Sequence, residues 1–218
     1  FTSAGVPLMF MGQEFLEDGW FEDDNPLDWS KKETFAGIFE LYQDLISMRR
    51  NLGGATQGLL GNSTNVFHIN DWDKAIAWHR WDQGGEADDV VVIANFSNTT
   101  WDDYRIGFPQ SGHWHCIFNS DAEKYDESYE NLGPTSIDTE PTSWDGLEQS
   151  ASFVLPAYTT LIFSRTEHDP PGTYDPADIN QDGLVNGADL ALVLVAWGTS
   201  GPDADINEDG TVNGADLA

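Results

Sequence analysis

The hydrophobic pattern changes character along the chain, and each change predicts a different kind of structure. Residues Gly5-Val6-Pro7-Leu8-Met9-Phe10-Met11-Gly12 run apolar or neutral without alternation, which predicts a strand buried on both faces. Polar Gln13 and Glu14 follow at once, as where a parallel barrel strand presents residues to a ligand at its carboxyl-terminal rim. The plainer reading is a core strand entering an ordinary loop. Ser30-Lys31-Lys32-Glu33 then has the spacing of a capping box. Ile38, Leu41, Tyr42, Leu45, Ile46 and Met48 recur at near-helical spacing, predicting a helix whose apolar stripe lies against a barrel wall. Arg49 and Arg50 suit the negative end of its dipole, and Gly53-Gly54 is the stop.

From Ala55 the pattern turns to short β-rich runs at 66–70, 75–81, 90–97, 104–108, 113–118, 152–155 and 159–165. Asp-, Asn- and Gly-rich turns part them, which predicts an antiparallel sandwich. The polar, acidic insert 120–149 has no readable pattern. Within one run, His113 and His115 share a face and suggest a metal. Further ligands at defined spacing are missing and Cys116 faces away, so a plain strand is the better reading. Asn62-Ser63-Thr64, Asn95-Phe96-Ser97 and Asn98-Thr99-Thr100 match a glycosylation tripeptide too short to carry weight.

Residues 168–176, rich in proline, read as an extended linker. Beyond it Asp178-Ile179-Asn180-Gln181-Asp182-Gly183-Leu184-Val185-Asn186-Gly187-Ala188-Asp189 recurs as Asp205-Ile206-Asn207-Glu208-Asp209-Gly210-Thr211-Val212-Asn213-Gly214-Ala215-Asp216. Oxygen side chains at positions 1, 3, 5, 9 and 12, with glycine at 6, are those of an EF-hand-type calcium loop. Asp178, Asn180, Asp182, Asn186 and Asp189 with the Leu184 carbonyl form one ligand set. Asp205, Asn207, Asp209, Asn213 and Asp216 with the Thr211 carbonyl form the other. The first repeat predicts a helix over 190–197, with Leu192, Val193, Val195 and Ala196 packing on the second repeat.

Composition sharpens this picture. A formal net charge of −29 argues against nucleic acid and anionic membranes and makes cations the natural counterpart. Hydrophobic content of 39% with nine tryptophans is ample for a folded core. The lone Cys116 leaves the redox compartment unmarked, and no apolar run approaches a membrane span.

The opening run resembles the last barrel strand of the α-amylase superfamily (glycoside hydrolase family 13), most closely its bacterial-type 1,4-α-glucan branching enzymes. The likeness continues through Leu16-Glu17-Asp18-Gly19-Trp20-Phe21, Asn25-Pro26-Leu27-Asp28-Trp29-Ser30, Ala77-Trp78-His79-Arg80-Trp81, Val92-Ile93-Ala94-Asn95-Phe96-Ser97 and Leu155-Pro156-Ala157-Tyr158. It implies a multidomain fragment: residues 1–54 ending a (β/α)8 catalytic barrel, 55–167 an all-β antiparallel sandwich, 168–176 the linker, and 177–218 a small α module. Position 12 is Asp and no helix enters either loop, so 177–218 resembles a dockerin type I module, truncated in its second repeat. Such modules dock secreted enzymes onto cohesin-type proteins, although Gly187-Ala188 and Gly214-Ala215 depart from the larger residues common there.

The resemblance implies an α-1,4-glucan substrate, with Gln13, Glu14, Trp20 and Trp29 as candidate binding residues and Phe21 beside them. It also implies that the nucleophile and acid, about 5–5.5 Å apart in a retaining site, sit on strands absent from this chain. The chain alone is then expected to be inactive. An extracellular amylase-type hydrolase is the alternative, and a non-catalytic calcium-dependent attachment and glucan-binding module is another. Branching enzymes act inside cells and dockerins outside. A weak calcium module favours export over the cytoplasm.

Overall fold

A computed structural model describes residues 1–20, 24–85, 88–167, 177, 179–180, 185, 187–200, 204–206 and 209–217. The linker 168–176 and Phe21 lie outside the described residues. The chain forms two compact units, Phe1–His168 and Asp169–Ala218.

The first unit is built on eight antiparallel strands: β1 (Ser63–Asn70), β2 (Ala75–Trp81), β3 (Val90–Asn95), β4 (Trp101–Phe108), β5 (His113–Asn119), β6 (Ser136–Asp138), β7 (Gln149–Leu155) and β8 (Thr160–Ser164). Six of them form a sheet in the order β1-β2-β3-β8-β5-β6, and β4 pairs with β7 in a second sheet. Every position of β3 is buried. Because successive side chains point to opposite faces, Val91 and Ile93 enter the core between the sheets, with Phe108, Trp114, Phe153 and Phe163. Val90 and Val92 enter a second core on the outer face, with Met48, Phe118 and Ile162. On β5, Trp114 and Cys116 face the first core, while the register shift between Cys116 and Phe118 turns Phe118 to the second.

An apolar outer face needs a cover. Helix α1 (Ser30–Thr34) leads through Phe35 into helix α2 (Ala36–Arg49). Leu41, Leu45 and Met48 of α2 lie on that face. This differs from the predicted barrel wall, because the stripe splits: Leu41, Leu45 and Met48 follow i, i+4, i+7, and Ile38, Tyr42 and Ile46 form a neighbouring half-buried row. The predicted capping box does not form either. Asp28 accepts both the Ser30 hydroxyl (2.6 Å) and the Ser30 amide (3.1 Å), so the serine oxygen caps nothing.

Insert 120–149, unreadable in sequence, folds into turns and the short strand β6 beside β5. It also grips α2, because the Tyr125 hydroxyl and the Lys124 ammonium both donate to Asp44 Oδ2 at 2.5 Å. Burial first, and then the Asp44 carboxylate, raise the Tyr125 hydroxyl well above the usual phenol range.

The predicted strand at 5–12 is absent. Residues 6–10 have no regular structure, and Val6 and Leu8 are exposed. A strand needs a neighbour for its amides and carbonyls, and no described strand pairs with this run. Two arginines hold the preceding carbonyls instead. Arg49 donates to Phe1 (3.2 Å), Ser3 (2.9 Å) and Gly5. Fully buried Arg80 donates to Thr2, Ser63 (3.1 Å) and Gly61 (2.6 Å).

In the second unit, helix α3 (Gly187–Val195) buries Val193 against Ala204 and Val212, with Ala196, Ile179 and Ile206 around them. Leu192 and Val195, expected in that contact, are exposed. At 3.6 residues per turn Ala196 lies about 60° from Val193 around the helix, Leu192 about 100° and Val195 about 160°.

A Cβ on Gly37 would lie 1.7 Å from the Tyr125 carbonyl oxygen. In a free helix alanine is preferred to glycine by about 1 kcal/mol, yet overpacking against a backbone atom costs about 1–3 kcal/mol. Gly37→Ala is therefore expected to lower the urea midpoint at unchanged slope. A raised midpoint would show that α2 does not sit this close to Tyr125.

Candidate functional site

The loop after residue 12 is organised by one carboxylate. Glu17 Oε1 accepts from the Gly19 amide (2.7 Å) and Lys31 Nζ (2.7 Å), and Oε2 accepts from the Asp28 amide (2.7 Å). Lys31 also bonds Asp18. Gly12 at φ 88° makes room, since a Cβ there would meet Glu17 Cβ at 2.6 Å. These bonds bring described residues of 10–20 and 25–28 around a cavity of about 540 Å³, lined by Phe10, Met11, Gln13, Glu17, Trp20 and Asp28 among others.

Of the predicted glucan contacts, the structure brings Gln13 and Trp20 together at this cavity. The Gln13 Oε1 accepts from the Phe10 amide (2.6 Å), leaving its amide nitrogen to reach a ligand. Trp20 is 87% exposed at the rim. Glu14, in the 3-10 turn Gln13–Phe15, is half-buried and not part of the lining. Trp29 packs on buried Phe15, with ring centroids 5.1 Å apart, and is also not part of the lining.

Sequence reasoning passed over Glu17. Its signal was Lys31, the first cation after a long acidic stretch. The Lys31 hydrogen bond first, then the amides of Gly19 and Asp28, hold the Glu17 carboxyl down at about 2. Lys31 in turn keeps its proton more firmly than an ordinary lysine, through Asp18 and Glu17. A carboxylate held so low has no proton to give near neutrality. The cavity can therefore bind and orient, but Glu17 cannot act as its general acid.

In the second unit Asn180, Asp189, Asp205, Asp209, Thr211, Asn213 and Asp216 are described, whereas Asp178, Asp182, Leu184, Asn186 and Asn207 lie outside the described residues. Asp205 Oδ1 accepts the Asp209 amide (3.1 Å) and Oδ2 the Gly210 amide (2.7 Å), with Gly210 at φ 89°. Asp216 Oδ2 accepts the Asn213 amide (2.7 Å), and Asp189 Oδ1 the Asn180 amide (3.1 Å). Both position-12 carboxylates are buried, Asp189 at 2% and Asp216 at 5% exposure. Among the described residues no three acidic, histidine or cysteine side chains converge on one point. Among them, too, no helix is long and apolar enough to cross a membrane.

Residues 68–166, from within β1 to just past β8, match the family described as Alpha amylase, C-terminal all-beta domain. The chain is 34% identical over 171 residues to the 1,4-alpha-glucan branching enzyme GlgB of Myxococcus xanthus, covering 73% of this chain and 22% of that protein. It is 32% identical over 169 residues to the same-named enzyme of Methylococcus capsulatus, covering 75% and 22%. A solved structure of pullulanase type I from Bacillus subtilis complexed with maltose aligns over 65% of this chain and 17% of that one, at 16% identity and a TM-score of 0.40. The chain thus spans 22% of the length of the two curated relatives, and the family match falls on its antiparallel sandwich.

Glu17 contributes order to the loop above its usual value near 4.5, and loses it as pH falls from there through about 2. An NMR titration is expected to place the Glu17 carboxyl near 2, and Lys31→Met is expected to move it up toward 4.5. An ordinary midpoint in the parent chain would remove Glu17 as the organiser of the cavity.

Proposed function

We propose that this chain is the C-terminal part of a 1,4-α-glucan branching enzyme, carrying an appended calcium-binding module. The observation that carries the first part is the likeness to branching enzymes, joined to the match of the sandwich with an alpha amylase C-terminal domain. In that chemistry an α-1,4 link is cut through a covalent glucosyl intermediate and the chain passes to a 6-hydroxyl. Its nucleophile and acid belong to barrel strands outside these residues. The run at residues 5–12 would be the last strand of that barrel, and its exposed Val6 and Leu8 are what such a strand shows without its neighbours. Gln13 and Trp20 would hold acceptor glucan at the cavity, with Glu14 supporting the turn beneath them.

The test is made on the enzyme with its full barrel. Branching is expected to lower iodine staining of amylose with few new reducing ends, and Trp20→Ala to raise KM more than it lowers kcat. Abundant new reducing ends would assign hydrolysis instead and overturn the reading.

For the second part, the support is the repeat itself, with oxygen side chains at positions 1, 3, 5, 9 and 12 of both loops and glycine at 6. Calcium, which takes six to eight oxygen ligands, would sit among the side chains of loops 178–189 and 205–216. Extracellular modules hold calcium at about 10⁻⁴–10⁻³ M, so the proposal carries export with it. The docking partner would be a cohesin-type protein, met by the exposed Leu190, Leu194 and Trp197 along one face of α3 and its end. Calorimetry of the chain is expected to show calcium binding at millimolar concentration, with Asp189→Asn and Asp216→Asn each weakening one site. Absence of heat from the unsubstituted chain would remove the calcium module.

A further inference from the structure

We propose that Asn213 and Gly214 form a self-modification site, at which the Asn213 side chain closes on the Gly214 nitrogen, releases ammonia and leaves an aspartyl or isoaspartyl residue. Asn213 is half-buried and Gly214 exposed. The Asn213 Oδ1 accepts the Ala215 amide (2.9 Å), and its Nδ2 donates to the Thr211 carbonyl (2.8 Å). An asparagine oxygen bonded to the amide two residues on folds its side chain over the intervening peptide, which here is that of Gly214. The Asn213 Cγ is thereby held on the side of the Gly214 nitrogen, the atom with which it closes a five-membered ring. Among the described residues nothing accepts the Gly214 amide, so no bond has to break first.

The first unit supplies the comparison. Asn70, Asn95 and Asn119 make the same turn, accepting the amides of Trp72 (3.1 Å), Ser97 (2.9 Å) and Asp121 (2.9 Å). The residue between is Asp71, Phe96 or Ser120, whose Cβ crowds the nitrogen. The Phe96 and Ser120 amides are also engaged, by the carbonyls of Lys74 (2.9 Å) and Thr160 (3.0 Å). Gly214 presents neither obstacle. Nor does packing require a glycine there, since a Cβ would meet nothing outside its own turn closer than the Trp197 ring, at 3.8 Å. Asn186-Gly187 is the matching pair of the first repeat, and Asn186 lies outside the described residues.

In the first step the Gly214 nitrogen gives its proton to water and bonds to Cγ. The charge passes to Oδ1, where the Ala215 amide already donates and stabilises it. Collapse breaks the Cγ–Nδ2 bond, and Nδ2 takes a proton from water and leaves as ammonia. Water then opens the five-membered imide. Breaking the bond from nitrogen to Cγ gives the aspartyl product. Breaking the bond from nitrogen to the main-chain carbonyl carbon gives the isoaspartyl product, whose main chain runs through Cβ and Cγ. Either product adds a negative charge at position 9 of the loop. The isoaspartyl form also inserts a main-chain atom directly after buried Val212, which is anchored by bonds from the Gly198 amide (2.8 Å) and to the Thr199 carbonyl (2.9 Å). It thereby removes the cap that Asn213 makes over the turn Gly214–Leu217. The reaction needs no metal ion and stands apart from the calcium reading.

The test is incubation of the whole chain at mildly alkaline pH with a calcium chelator, followed by cleavage at acidic residues and mass spectrometry. The peptide holding Asn213 is expected to gain the mass of an amide-to-acid exchange and to split into two isomers. Asn70, Asn95 and Asn119 are expected to stay intact, and Asn186 is read in its own peptide. Gly214→Ala is expected to slow the gain at Asn213 about tenfold or more. If that variant melts early, Asn213→Gln, which must close a six-membered ring, carries the test with the same expectation. An Asn213 that stays intact in the parent chain, conversion unslowed in the folded variant, or equal conversion at Asn119 would each overturn the inference.

Discussion

Burial of the six-stranded sheet on both faces is the constraint on which the rest of the first unit depends. A sheet covered on one side only would leave Val90, Val92 and Ile162 in water, at about 25 cal/mol for each Å² of apolar surface. Helix α2 removes that surface, and its position then fixes what is attached to it. Arg49 at its end holds the first carbonyls of the chain, and Lys31 in the preceding helix holds Glu17 and with it the cavity. At the other end of the sheet, Asn95 closes β3 and ties together two of the turns that carry exposed rings.

How much of this was legible follows from what each element asks of its neighbours. The runs that became β1 to β5, β7 and β8 announce themselves because their alternation and turn residues are local properties. Strand β6 does not, since three residues in a polar insert earn their pairing only from β5. The run at residues 5–12 shows the reverse. Its composition suits a strand, but a strand is a property of a pair, and the partner is not among the described residues. The helix stripe was readable as a period and unreadable as a direction, because two adjacent rows of apolar residues face two different surfaces.

The candidate sites divide in the same way. Gln13 and Trp20 were readable from residue type beside an expected rim, and Trp29 was not separable from them until its ring was seen on Phe15. Glu17 escaped notice because a staple between the amides of Gly19 and Asp28 has no sequence period. The calcium loops are the opposite case, since all their ligands lie within one short segment and repeat. What the structure adds there is the burial of Asp189 and Asp216, each accepting a backbone amide.

The central proposal is that the cavity at Gln13 and Trp20 holds α-glucan. The most direct test is to map amide and aromatic NMR shifts of the labelled chain as maltoheptaose is added. The account predicts shifts concentrated at Gln13 and Trp20 around the cavity, with unit Asp169–Ala218 unaffected. Shifts confined to that second unit, or none at millimolar sugar, would contradict it.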